Sequence, residues 1–215
     1  MPVVIRRYDP RDRAALRQLA CDTAVRGESV ERFFYDRDVF ADFLTCYYTE
    51  WEPQSLWVAE TDGRIVGYLT GCLQTRRYQR VMAWLIDPRA TLRAIGRGAL
   101  WHPDTWRLAQ AVLQTCRRGG FKTDPVMQEY PAHLHVNVDR AFRGQRIGWQ
   151  LVERFLRQAV EAGCPGVHAA VRGDNLSACH FFEQRGFAPL CRHPVVFPEG
   201  NRLEPHDTIV YGKRL

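Results

Sequence analysis

The chain lacks the marks of several large protein classes. Its seven cysteines, at positions 21, 46, 72, 116, 164, 179 and 191 of 215 residues, include no Cys-x-x-Cys pair. No metal-ligand spacing joins them to the seven histidines. A disulfide framework and a zinc module are therefore not expected. An odd cysteine count without a framework fits reduced thiols and a cytoplasmic location. No apolar run reaches the roughly 20 residues of a membrane span. Arg6 and Arg7 interrupt the Val/Ile run near the start, so no secretory signal is expected and no membrane partner. Internal repeats and low-complexity tracts are absent. The net charge is +6 and the pI about 9.1. The basic residues are scattered, with no aromatic–basic stripe or nucleic-acid motif. A basic surface with one pocket for an anion is the expectation, rather than a nucleic-acid binder.

What is present is ordinary for a globular protein: 46% hydrophobic and 25% charged residues. At this length a single domain over 1–215 is expected. Val3 to Arg6 read as a first strand. Asp9-Pro10 opens a helix with Ala14, Ala15, Leu16, Leu19 and Ala20 on its apolar side. Gly27-Glu28-Ser29 reads as a loop, and a second amphipathic helix is expected over 36–50, stopped before Pro53. Residues 56–60 and 64–69 are strand-like runs around Asp62-Gly63, a two-residue hairpin turn. Residues 75–128 read as a helical insertion between two strands of one sheet. Its clearest helix starts at Pro103-Asp104 and ends at Gly119-Gly120.

From Ala132 the pattern becomes strand, helix, strand, helix. Leu134, Val136 and Val138 share one strand face. Ile147, Leu151, Phe155, Ala159 and Val160 line the next helix, to about residue 162. Residues 167–171 form a strand, and Asp174 and Asn175 cap a helix through Arg185. A strand–helix–strand unit of this length implies parallel strands. Residues 188–197 and 208–213 read as closing strands, with 198–201 as their loop.

The organising stretch is His133-Leu134-His135-Val136-Asn137-Val138-Asp139-Arg140-Ala141-Phe142-Arg143-Gly144-Gln145-Arg146-Ile147-Gly148. It reads as a strand, an Arg- and Gly-bearing loop, and a helix N-terminus, where backbone N–H groups favour phosphate. Arg143-Gly144-Gln145-Arg146-Ile147-Gly148 resembles the Gln/Arg-x-x-Gly-x-Gly/Ala signature of the GNAT acetyltransferase family. Asn175-x-x-Ala178-x-x-Phe181-Phe182-Glu183-x-x-Gly186-Phe187 resembles that family's second block. Tyr130-Pro131-Ala132-His133-Leu134-His135 and Gly163-x-Pro165-Gly166-Val167-His168 are similar to acetyltransferase-like domains found with bacterial O-GlcNAcases.

The resemblance implies an α/β (α+β) fold. Its sheet would be mixed, mostly antiparallel and twisted, with a splayed parallel pair ending near Val138 and Val171. Helices would cover both faces. It also implies acetyl-CoA as cofactor and an N-acetyltransferase acting on a primary amine of a small molecule or protein. The alternative is a non-catalytic acyl-CoA-binding or interaction module. Backbone groups of Val136, Asn137 and Val138 would pair with the pantetheine arm, and residues Arg143, Gly144, Gln145, Arg146, Ile147 and Gly148 would hold the pyrophosphate. Asn175 and Phe182 would line the same site. Here Arg146 stands where the family more often has Gly, and Phe182 where it often has Tyr.

His135 and His133 share a strand face with Asn137, and an imidazole titrates near neutrality, so either suits a general base. Both also suit hydrogen-bonded structural roles. Glu129 and Asp139 are weaker candidates. Tyr130, His180, Cys179 or water stand in for the missing acid. Trp84, Trp101 and Trp106 are candidates for the acceptor pocket, for core packing, or for a homodimer contact. Arg76, Arg77 and Arg80 either attract an acidic acceptor or are solvated.

Overall fold

The Asp62-Gly63 hairpin seeds the sheet. The computed structural model describes residues 2–24, 29–32, 34–120, 126–199 and 202–215. In it Leu56–Thr61 (β2) and Arg64–Cys72 (β3) pair antiparallel, and Asp62 and Gly63 take φ of 52° and 73°. Two left-handed residues match the twist of the flanking strands. Val4–Arg7 (β1) pairs with β2, and Ala132–Val138 (β4) pairs antiparallel with the far side of β3. Gly166–Arg172 (β5), Ala188–Glu199 (β6) and Arg202–Arg214 (β7) complete one seven-stranded sheet in the order β1-β2-β3-β4-β5-β7-β6. Only β4 and β5 run parallel. They pair at Ala132 with Val167 and His133 with His168, then part. The mixed sheet and its splayed pair are as expected from the sequence.

Helices cover both faces. Arg13–Asp22 (α1) follows a short turn capped by Asp9. Arg37–Cys46 (α2), capped by Asp36, continues as a π-helical turn over Tyr47–Trp51. Leu16, Tyr47 and Tyr48 pack with Leu56, Val58 and Tyr68 on one face. The insertion holds Thr75–Val81 (α3), Asp87–Gly96 (α4), Pro103–Arg117 (α5) and the short Val126–Glu129 (α6). Thr115 ties α5 to the sheet, because its Oγ1 accepts from Val196 N at 2.9 Å and donates to Ala111 O at 2.8 Å. Ile147–Glu161 (α7) covers the other face, followed by Leu176–Glu183 (α8). Ile147, Leu151, Phe155 and Ala159 are buried against Leu134 and Leu69. Gly71 is required under this helix: a Cβ there would sit 2.3 Å from the Phe155 ring. Burying a phenylalanine this fully contributes about 1.5–3 kcal/mol.

Three expectations are corrected. Val160 does not line the core. It is 57% exposed, and Val152 and Leu156 are buried instead, because a 3.6-residue turn carries position 160 away from the 147–151–155 stripe. The closing hairpin is longer than expected: Pro198 pairs with Leu203 and Glu199 with Arg202, so both belong to β6, while Gly200 and Asn201 lie outside the described residues. The tryptophans Trp84, Trp101 and Trp106 neither pack in the core nor line the site described below; they are exposed. Of the loop expected at 27–29, only Ser29 is among the described residues. No described helix is long and apolar enough to cross a membrane.

Candidate active site

The parting of β4 from β5 decides where a ligand can enter. Asp139 donates its N–H to Val66 O at 2.8 Å. Backbone groups alternate in direction along a strand, so Val136 and Val138 turn theirs away from β3, toward the gap. The β4–β5 pairing stops at His133, so no strand meets them there.

Two cavities open on this gap. One, of about 430 Å³, runs along Val138, the 143–148 loop, Trp149 and the first turns of α8. The other, of about 380 Å³, is walled by Thr23 at the end of α1, His135, Arg172, Phe197 of β6 and His206 of β7. Both include Val136, Asn137, Asn175, Ala178 and Phe182, so they meet at the splay. A larger concavity, about 820 Å³, lies apart between α1 and α2. Its arginines Arg11, Arg13, Arg17 and Arg37 are paired with Asp9, Glu50, Asp42 and Asp22, which leaves little charge to offer a ligand.

The 143–148 loop has the form of an anion cradle. Gly144 and Arg146 take φ of 78° and 61°. The amides from Gly144 to Trp149 have no backbone acceptor among the described residues. A Cβ at Gly144 would meet nothing within 4 Å, so an incoming group can approach the backbone. Adjacent N–H groups at the start of a long helix favour negative charge. These features fit a pyrophosphate.

The acetyltransferase (GNAT) family profile matches residues 13–187. The chain belongs to the acetyltransferase (GNAT) family. That family is one of acetyltransferases. Mycothiol acetyltransferase of Jonesia denitrificans is 32% identical over 94 residues, which is 42% of this chain and 30% of that protein. The chain thus matches under a third of that relative's length. The solved structure of SsHAT superposes with a TM-score of 0.71 at 24% identity, over 100% of this chain and 98% of that one. The structure of yncA from Salmonella typhimurium, with its cofactor acetyl-CoA, gives 0.59 at 15% identity over 99% and 94%.

Most of the GNAT residues expected at the coenzyme come together. Val136, Asn137, Val138, Arg143, Gly144, Arg146, Ile147, Gly148, Asn175 and Phe182 all line the larger of the two meeting cavities. Gln145 does not line it; it is exposed. The expectation that Asn137 offers its backbone is also corrected. Asn137 is opposite Tyr68, its backbone alternates toward β3, and its Nδ2 donates to Tyr68 Oη at 2.8 Å. Arg143 neither points at an acid nor stands idle, since its Nε donates to Val138 O at 3.1 Å. Asn175 caps α8 by accepting from Ala178 N at 3.2 Å. The left-handed φ of Arg146 explains the family's glycine there; a side chain in that conformation costs about 1–2 kcal/mol.

The two histidines separate. His133 is buried, with Nε2 2.9 Å from Tyr48 Oη and Nδ1 2.7 Å from Thr75 Oγ1. Both ring nitrogens are engaged, which is a structural arrangement. Burial, then the neighbouring His135 and His168, hold it well below the usual histidine pKa. His135 opens into the smaller meeting cavity, and no described residue hydrogen-bonds its ring. Surrounding protein, then His168, pushes its pKa down to about 4. The ring's other side is open to solvent.

None of the other base or acid candidates lines either cavity. Glu129 pairs with Arg214, and Asp139 pairs with Arg64 while accepting from Ala141 N. Tyr130 is buried beside Gly166 and Gly212. Cys179 is buried with its thiol 3.8 Å from Arg172 O, and His180 meets Gln184 at 2.7 Å. Sequence reasoning missed Trp149, with Arg185 stacked 5.0 Å from its ring centroid, and the wall of Thr23, Phe197 and His206. The last three come from α1, β6 and β7, which no local pattern links.

Proposed function

We propose that this domain transfers the acetyl group of acetyl-CoA to a primary amine of a small molecule or protein. The meeting of two cavities at Val136, Asn137, Asn175, Ala178 and Phe182 carries this reading. It gives donor and acceptor separate entrances to one point.

The coenzyme supplies an activated acetyl thioester. The amides from Gly144 to Gly148 would hold its pyrophosphate, with α7 adding the positive end of its dipole. Val138 would offer its gap-facing N–H, and Val136 its C=O, to the pantetheine amides. The Val136 N–H faces the gap and would be available to a thioester oxygen as charge grows there. His135 takes the proton of the acceptor amine, directly or through a water in the smaller cavity. With its depressed pKa it is already neutral at pH 7, so no acid limb from this residue is expected near neutrality. Phe182 has no proton to give the departing thiolate, which falls to water.

Phe182 also supports a second reading, a coenzyme-binding module without turnover. Release of free CoA thiol with a panel of primary amines separates the two. Amine-dependent release that His135→Ala lowers supports transfer. Calorimetric coenzyme binding with no release for any amine sinks it in favour of the module.

A further inference from the structure

The insertion between β3 and β4 carries more positive charge than the whole chain. Between positions 75 and 120 lie nine arginines, no lysine and two aspartates, a net of +7 against +6 for all 215 residues. Arg93, Arg97 and Arg107 are paired with Asp42, Asp36 and Asp104. The remaining six, Arg76, Arg77, Arg80, Arg89, Arg117 and Arg118, are exposed, with no carboxylate partner among the described residues. Six arginines without a carboxylate partner thus fall within one contiguous segment of the chain.

The same segment displays apolar side chains outward. Trp84 is 79% exposed, Trp101 90%, Leu92 68% and Trp106 56%, while Ile95 and Leu113 are also exposed. On α4, Leu92 and Ile95 lie opposite the buried Ala90 and Ala94; on α5, Trp106 and Leu113 lie opposite the buried Ala111 and Thr115. Each helix therefore has two apolar faces, one covered and one not. Trp106 Nε1 donates to Leu100 O at 3.0 Å, which fixes it at the corner joining the two helices.

We propose that the insertion docks through these exposed side chains on an anionic lipid bilayer surface. Tryptophan settles at the headgroup level, leucine and isoleucine enter the acyl boundary, and the arginines pair with lipid phosphates. The expectation of no membrane partner rested on the missing span, and a peripheral face needs none. A second copy of the chain fits the face poorly. A two-fold interface would set the same arginines against one another. Nucleic acid would use the arginines and tryptophans but leave Leu92, Ile95 and Leu113 in water.

The test is flotation of the full chain with vesicles of phosphatidylcholine alone and of phosphatidylcholine with phosphatidylglycerol in equal parts, at 150 mM salt. Three of the six tryptophans lie on the face, so a blue shift of emission is a second readout. Binding is expected to favour the anionic vesicles by about tenfold or more. It should fall by a similar factor in Arg76→Glu/Arg77→Glu/Arg80→Glu and, separately, in Trp84→Ser/Trp101→Ser/Trp106→Ser. Coenzyme affinity and the thermal midpoint report that each variant is folded. The proposal is overturned if the wild type does not bind anionic vesicles, or if the tryptophan variant binds as well as wild type. A tryptophan-dependent dimer by light scattering without vesicle binding, or duplex DNA bound more tightly than the vesicles, also overturns it.

Discussion

The β4–α7–β5–α8 unit and the insertion over 75–128 are both largely helical, yet they spend their groups in opposite ways. The first buries its aromatics, with Phe155, Phe182 and Phe187 all in the core, and leaves backbone N–H groups open from Gly144 to Trp149. The second leaves Trp84, Trp101 and Trp106 exposed and carries six arginines with no carboxylate partner among the described residues. A small anion is best held by fixed backbone dipoles in a concave loop, because they need no ordering on binding. An extended partner is met by side chains spread along a helix face. The difference separates a pocket from a surface, and each can be perturbed without the other.

The largest expected effect is at the pocket. Gly148 faces the groove, with Phe181 and Val138 3.7 Å from a built Cβ. Gly148→Trp should weaken coenzyme binding about 100-fold or more, since it blocks several charge-assisted hydrogen bonds of about 1.5–3 kcal/mol each. Calorimetry checks this, with a melt to show that the variant folds. Unchanged affinity would break the comparison by moving the coenzyme elsewhere.

The histidine pair comes next. His135→Ala should lower kcat about 100-fold with little change in melting temperature. His133→Ala should instead destabilise by about 2–4 kcal/mol, because it leaves Tyr48 and Thr75 without their partner. Denaturant titration and steady-state rates on both variants test the split. Equal effects on rate and stability at the two positions would erase it.

A smaller effect is expected from pH. His133 and His168 are both held below the ordinary histidine value of 6.5 by burial. The unfolded chain therefore binds protons near pH 6 that the folded chain does not. Their contribution is full above pH 6.5 and declines as pH falls below it. Melting temperature should drop from pH 7.5 to 5.5, and more shallowly in His133→Gln. A flat profile for the wild type would show that the cluster is not buried as described.

The smallest effect is at Arg146. Relieving a left-handed arginine offsets the extra chain entropy of glycine, so Arg146→Gly should stabilise by about 1 kcal/mol or less. Coenzyme affinity should change little if only the 146 backbone faces the phosphate. A large loss would assign the guanidinium a direct role and sharpen the account of the cradle.

Legibility follows the range of the forces involved. The hairpin was readable because Asp62-Gly63 states its own turn geometry. The unit from Ala132 to Gly186 was readable because strand alternation, the helical stripe from Ile147 to Ala159 and the Asn175 cap all lie within a few residues. The two histidines were not separable by such reasoning. A two-residue period places His133 and His135 on one face, and nothing local shows that Tyr48 and Thr75 close over the first alone. Asn137 illustrates the same limit, since its direction depends on the register with Tyr68.

By itself, the order of residues determined the element succession, the N–H cradle at the head of α7 and the family it signals, because these depend on backbone conformation over short spans. Tertiary structure alone decided which histidine meets the cavity. It also brought Thr23, Phe197 and His206 to the far wall and decided which arginines of the insertion find a carboxylate and which do not. Those outcomes depend on contacts between segments far apart in the chain, and only packing specifies such contacts.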